Sequence, residues 1–177
     1  MEVKVFDLAV EIIRGDITNQ KDIEAIVNPA NAYLTPGGGA SGAIHKAAGR
    51  KLYEEAKTLA PIKVGEAVVT SGYNLPNKYV IHTLGPVYGK DKPEPELLSN
   101  CYKNSLKLAE EKGIVSIAFP AISCGIFGYP LEEAVEVVFN TVKELAPKLK
   151  KVKKIRFVLF GESAFNIYKE KFSQLNK

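Results

Sequence analysis

Three short apolar runs do most to limit what this chain can become. Ala25-Ile26-Val27, Val115–Phe119 and Ile155–Phe160 carry almost no polar alternation, and each runs into a turn rich in Gly, Pro or Ser before a segment of helical periodicity. A strand with apolar residues at both odd and even positions is covered on both faces of its sheet. Strands of that kind alternating with helices specify a three-layer α/β/α sandwich. Further strands are expected within Val5–Ile13 and at Ala67–Thr70 and Tyr79–Thr83. Helices are expected over Ser41–Leu59, Glu96–Lys112, Leu131–Leu149 and Ser163–Leu175. The central sheet is expected to be mixed. With 177 residues and no repeat, linker or low-complexity tract, the whole chain, 1–177, reads as one domain.

Composition narrows the class of protein. Apolar residues make up 46% and charged residues 25%, as in ordinary globular chains. No apolar run approaches a membrane span, and charged residues follow Met1 where a secretory signal would place an apolar core, so a cytoplasmic protein is expected. Cys101 and Cys124 lack metal-ligand spacing and are read as reduced thiols. A net charge of +4 permits an anionic ligand without demanding nucleic acid. The densest basic stretch, KLKKVKK at 148–154, follows a helix, where lysines complement the helix dipole. Abundant Lys and Glu, with no Trp and two Gln, point towards a thermophilic source.

Ligands of open α/β sheets bind beyond the carboxyl ends of the strands. That rule directs attention to the loops after residues 14, 28, 120 and 160. The second of these, NPANAYLTPGGGASGAIHKAAG at 28–49, is much longer than a connection of about 2–6 residues. Gly37 to Gly42 matches G-x-G-x-x-G, but the first glycine comes nine residues after Asn28 and the expected acidic partner is missing, so a dinucleotide fingerprint fits poorly. A Walker A loop is excluded, because no glycine here precedes Lys and Ser or Thr. What survives is physical. Glycines leave consecutive main-chain N–H groups free to turn toward one anion, and the following helix start adds partial positive charge.

The loop at 120–130, PAISCGIFGYP, repeats the arrangement with Ser123, Gly125 and Gly128. Two such loops at one sheet edge can hold a diphosphate between them. Neither contains Lys or Arg, so backbone dipoles would have to serve. Gly15-Asp16-Ile17-Thr18 forms a third turn, with Asp16 either shaping it or accepting a hydrogen bond from an exocyclic amine. Phe160, ending the last strand, is either core or a stacking surface for a base. Cys124, near a helix start, is weighed as a nucleophile against a packing role, and packing is favoured. His45 and His82 are read as structural.

Taken together, G-D-I-T, N-P-A-N-x-x-L-x-x-G-G-G-A-S-G-A-I-H-x-A-A-G, V-I-H-T-L-G-P and P-A-I-S-C-G-I-F-G-Y-P resemble the macro domain family, in order and in spacing, over nearly the whole chain. The resemblance implies an α/β/α fold that binds ADP-ribose or ADP-ribosylated protein. It implies no cofactor and no metal, makes nucleic acid an unlikely partner, and leaves the oligomeric state open. By position, Asp16 would meet the adenine amine beside the Ile17 backbone, and Phe160 would pack on the adenine. Gly38, Gly39, Ala40, Ser41 and Gly42, with Ser123, Cys124, Gly125, Ile126 and Phe127, would enclose the diphosphate. Asn31 would bind the distal ribose against Phe127, and Asn28 would brace the loop. Asn31 and Ser41 are the candidate catalytic positions. Many family members with a similar glycine loop carry aspartate where Ser41 stands, so hydrolysis is expected to be weak or confined to certain substrates, with a binder lacking turnover as the alternative.

Overall fold

A computed structural model describes residues 1–176. Its core is one seven-stranded sheet in the order β1-β2-β7-β6-β3-β5-β4. The strands are β1 Glu2–Val5, β2 Leu8–Arg14, β3 Ala25–Pro29, β4 Ala67–Ser71, β5 Tyr79–Thr83, β6 Ser116–Phe119 and β7 Lys154–Leu159. The pairs β2·β7, β7·β6, β6·β3 and β3·β5 are parallel, while β1 and β4 run antiparallel at the two edges. The sheet is mixed, as expected.

Side-chain alternation divides the sheet's faces. Ile155, Phe157 and Leu159 of β7 join a core with Leu98, Tyr102 and Leu106 from α3 (Glu94–Lys112) and Val135, Val138 and Val142 from α4 (Leu131–Leu145). Tyr168 and Phe172 of α5 (Glu162–Phe172) complete that layer. On the opposite face, Ile26, Val80, Ala118 and Val158 pack with Ile44 and Ala48 of α1 (Gly39–Ala48) and Leu52 of α2 (Arg50–Ala56). The resulting α/β/α sandwich matches the expected architecture.

Several boundaries differ from the periodicity. The helix expected over 41–59 is two helices. Gly49 has φ 90°, and Asn74 donates its main-chain N–H to the Ala48 carbonyl, so the 72–77 turn takes up a carbonyl that a continuous helix would use. The third expected helix, 131–149, stops at Leu145 and tightens into a 3-10 turn around Pro147. Phe160 lies one residue past β7 and is 88% exposed, which removes its core alternative.

One buried polar chain ties the sheet together behind the long loop. At the end of β3, Asn28 lies opposite His82 in register, and its Nδ2 lies 2.9 Å from His82 Nδ1. His82 Nε2 is 2.9 Å from Thr70 Oγ1 on β4. Asn28 and His82 are both fully buried, and the recorded bond of the Asn28 side chain joins β3 to β5. Burial, with the neighbouring His45 adding to it, drives the His82 pKa down to about 3; burial also lowers that of His45. Both rings are therefore neutral in the native state at pH 7. Below the unfolded-state value of about 6.5, the unfolded chain takes up protons that the native state refuses, and stability falls with pH. The expected slope for His82 is about 1.4 kcal/mol per pH unit. Urea unfolding followed from pH 7.5 to pH 5 should show this loss begin near pH 6.5. His82→Gln should be less stable at pH 7.5 but show a shallower loss; an equal slope in the variant would contradict the assignment.

Candidate functional site

Because β2, β7, β6 and β3 are parallel neighbours, their carboxyl ends share one edge, and four successive loops meet there. Between them lies a cleft made of two adjoining cavities of about 320 and 490 Å3. The first is lined by Asn31, Gly37–Ser41, Ser123 and Gly125–Phe127. The second is lined by Asp16, Ile17, Cys124, Phe160 and Gly161, among others. Gly39, Ala40, Pro120, Ala121 and Gly125 border both, so the two form one elongated groove with the glycine loops at its waist.

The waist is built to receive negative charge without a cationic side chain. Helix α1 starts at Gly39, its N-cap Gly38 supplies no side-chain acceptor, and its first turn holds no acid. Its leading N–H groups are therefore left for a ligand or water. Across the groove, the 120–130 loop is braced from within: Tyr129 donates its N–H to the Ser123 carbonyl at 2.9 Å and Gly128 to that of Gly125 at 3.0 Å. The N–H groups of Gly125, Ile126 and Phe127 find no acceptor among the described residues. Among the described residues, neither cavity lining includes a Lys or Arg. The starts of α4 and α5 also border the second cavity, through Leu131 and Gly161.

Local packing sets the first loop's shape. A Cβ on Gly42 would sit 2.5 Å from the Gly37 carbonyl oxygen, so only glycine lets the loop fold this tightly onto α1. Gly42 lines neither cavity; it positions the residues that do. Asn31 is also committed to its own loop. Its Nδ2 donates to the carbonyl and hydroxyl oxygens of Thr35 at 3.1 and 2.8 Å, and its Oδ1 accepts the Thr35 N–H at 3.1 Å. The second lone pair of Asn31 Oδ1 remains for a ligand hydroxyl. Sequence reasoning missed this engagement, although Thr35 four residues on is a partner within reach of such a loop.

The other candidates divide clearly. Asp16 does shape its turn, since its Oδ1 accepts from the Thr18 N–H at 2.8 Å and from the Thr18 hydroxyl at 2.7 Å. No partner is found for Oδ2 among the described residues, so the two roles weighed for Asp16 are compatible. Ile126 and Phe160 are 95% and 88% exposed at the rim, large apolar surfaces with little protein against them. Ser41 is buried, and its Oγ has no partner among the described residues. Burial pushes the Cys124 thiol up to about 12, which keeps it protonated at neutral pH and favours the packing role. The helix start that favours a thiolate loses to desolvation there. Both cysteines are free, and no group of His, Cys, Asp and Glu able to hold a metal occurs among the described residues. None of the described helices is long and apolar enough to cross a membrane.

Comparison with known proteins agrees with this geometry. A family model described as "Macro domain" matches residues 27–138. A macro domain-containing protein of Chlorobaculum tepidum is 45% identical over 165 residues, covering 93% of this chain and 95% of that protein. The human ADP-ribose glycohydrolase MACROD2 is 48% identical over 171 residues, covering 93% of this chain but 39% of that larger protein. Among solved structures, the Oceanobacillus iheyensis macrodomain with ADP superposes with a TM-score of 0.94 at 38% identity, covering 99% of this chain and 96% of that one. The Trypanosoma brucei macrodomain in complex with ADP-ribose gives 0.84 at 36% identity, covering 93% and 68%. With the cleft, the sheet order and these likenesses in agreement, the chain belongs to the macro domain family.

Proposed function

We propose that the groove binds ADP-ribose, free or attached to protein, and that the protein releases it slowly if at all. The observation that carries this reading is the facing pair of amide-rich loops, with no cationic side chain between them among the described residues. A pyrophosphate fits such a waist, because helix-start N–H groups and unbonded loop N–H groups supply directed donors on both sides. The solved relatives named for ADP and ADP-ribose complexes support the same ligand class. Adenine would occupy the second cavity between Asp16, Ile17 and Phe160, and the distal ribose the first, against Asn31 and Phe127. The nucleotide is then bound as a substrate or ligand, with no cofactor in the reading.

Turnover depends on what activates water at the distal ribose. Ser41 cannot act as an anionic base, so a water would rely on Asn31 and on the ligand's own phosphate. General-base assistance is worth about 10²–10⁴-fold, and a site lacking it is correspondingly slow. MACROD2 bears the name of an ADP-ribose glycohydrolase, which makes release of ADP-ribose the first reaction to assay, with deacetylation of O-acetyl-ADP-ribose beside it as an expectation from the family resemblance. A pure reader of ADP-ribosylated chains is the second reading, favoured by the uncharged Ser41.

Calorimetry should rank ADP-ribose above ADP and ADP above AMP, since each loss removes one built contact region; NAD, with a cation beyond the distal ribose, should bind more weakly than ADP-ribose. Equal affinity for AMP and ADP-ribose would contradict the placement. In a turnover assay with mono-ADP-ribosylated protein, Ser41→Asp should release ADP-ribose about tenfold faster or more. A fast wild type that Ser41→Asp does not improve would show that Ser41 does not limit the reaction.

A further inference from the structure

Strand β7 has one charged residue inside its apolar run, and the groove as described makes no use of it. Arg156 is 8% exposed. It points to the same face as Val158, the face covered by α1 and α2 farther along the sheet. At this position the loop joining β2 to β3 does the covering. Arg156 Nε donates to Glu11 Oε2 on β2 at 2.7 Å. Its two terminal nitrogens donate to both oxygens of Asp22, at 2.8 and 2.6 Å, and one of them also reaches Gln20 Oε1 at 2.9 Å. Lys154 Nζ completes the group, 2.7 Å from Glu11 Oε1, so two cations face two carboxylates. The Arg156 bond holds the Asp22 carboxyl down at about 2.

The cluster does not end at the sheet. Gln20 uses its other amide atom, Nε2, to donate to the main-chain carbonyl of Asp16 at 2.8 Å. From the far side, Asn77 Nδ2 donates to the carbonyls of Gln20 and Ile23 at 2.8 and 2.7 Å. The Asn19 N–H also donates to the Asp16 carbonyl, at 3.0 Å, so the Asp16 turn has that main-chain bond and two side-chain anchors. Its side chain is locked locally by Thr18, and its backbone is locked through Gln20 to a guanidinium in the sheet.

We propose that Arg156 and Gln20 are positioning residues for base recognition: they fix the Asp16 turn so that its free carboxylate oxygen selects an exocyclic amine on the ligand's base. This rests on the reading of Asp16 given under Proposed function. A planar guanidinium making four hydrogen bonds suits the task, because it fixes Gln20, Asp22 and Glu11 at once in one geometry. A lysine there keeps the charge and loses the fork. A floppy turn would still bind the diphosphate at the waist but would lose discrimination at the base.

The test compares affinities for ADP-ribose and for its hypoxanthine analogue, in which a carbonyl replaces the exocyclic amine, alongside the thermal midpoint of each ligand-free protein. Wild type should prefer ADP-ribose by about tenfold to a hundredfold, the worth of a hydrogen bond to a charged group. Gln20→Glu keeps the acceptor for Arg156 but removes the donor to the Asp16 carbonyl, and should bring that preference to within about threefold. Arg156→Lys should reduce it as well. Should Arg156→Lys fail to fold, Gln20→Glu alone decides. A folded Gln20→Glu protein that keeps the wild-type preference overturns the proposal, even if its midpoint drops. A wild type with no preference overturns the Asp16 reading itself and the proposal with it.

Discussion

Parallel pairing of β2, β7, β6 and β3 brings four carboxyl ends to one edge of the sheet, and with them four loops that are far apart in the chain. Three of those loops lead into helices whose first-turn N–H groups cannot be satisfied from within. The edge is therefore rich in directed donors before any side chain is considered. A ligand with several closely spaced anionic oxygens satisfies such a surface more fully than one with a single charge. The absence of Lys and Arg from the lining among the described residues follows the same logic, since aligned dipoles fixed by the fold need no further ordering when the anion arrives.

The support for this edge is distributed. Behind the first loop stands the Asn28–His82–Thr70 chain across three strands, and beneath the Asp16 turn stands the Arg156 cluster. Both put polar groups inside the sheet at positions that apolar residues fill elsewhere in the same strands. Buried polar groups cost free energy unless bonded, so their gain has to come from the geometry they impose. For the Arg156 cluster that geometry belongs to the Asp16 turn lining the groove, and for the Asn28 chain it belongs to the pairing of β3, β5 and β4. The same balance explains the acid sensitivity expected of the fold: His82 serves its neighbours only while neutral.

Much of the layout was legible in residue order. The apolar run ending in Ile117-Ala118-Phe119, all three fully buried, announced covered sheet faces, although Val115 at its start is 52% exposed, and the glycine loops announced donors. What was not legible depended on partners distant in sequence. Nothing near Gly49 in the chain identifies Asn74 as the group that takes the Ala48 carbonyl and ends α1. Arg156 meets Glu11, Gln20 and Asp22 across more than 130 residues, so its spacing carried no signal. Cys124 sits beside a helix start in sequence, but the burial that keeps it protonated is a property of the packed core. Asn31 was recognised as important, while its engagement with Thr35 required the loop's actual path.

The central claim is that main-chain amides from two loops grip one pyrophosphate without a basic side chain. A crystal structure of the protein with ADP-ribose tests it most directly. The account predicts phosphate oxygens about 3 Å from main-chain nitrogens of both the 38–42 and the 123–127 segments, with no Lys or Arg nitrogen in the first contact layer. A diphosphate held by a lysine or arginine, or touching only one of the two loops, would contradict it.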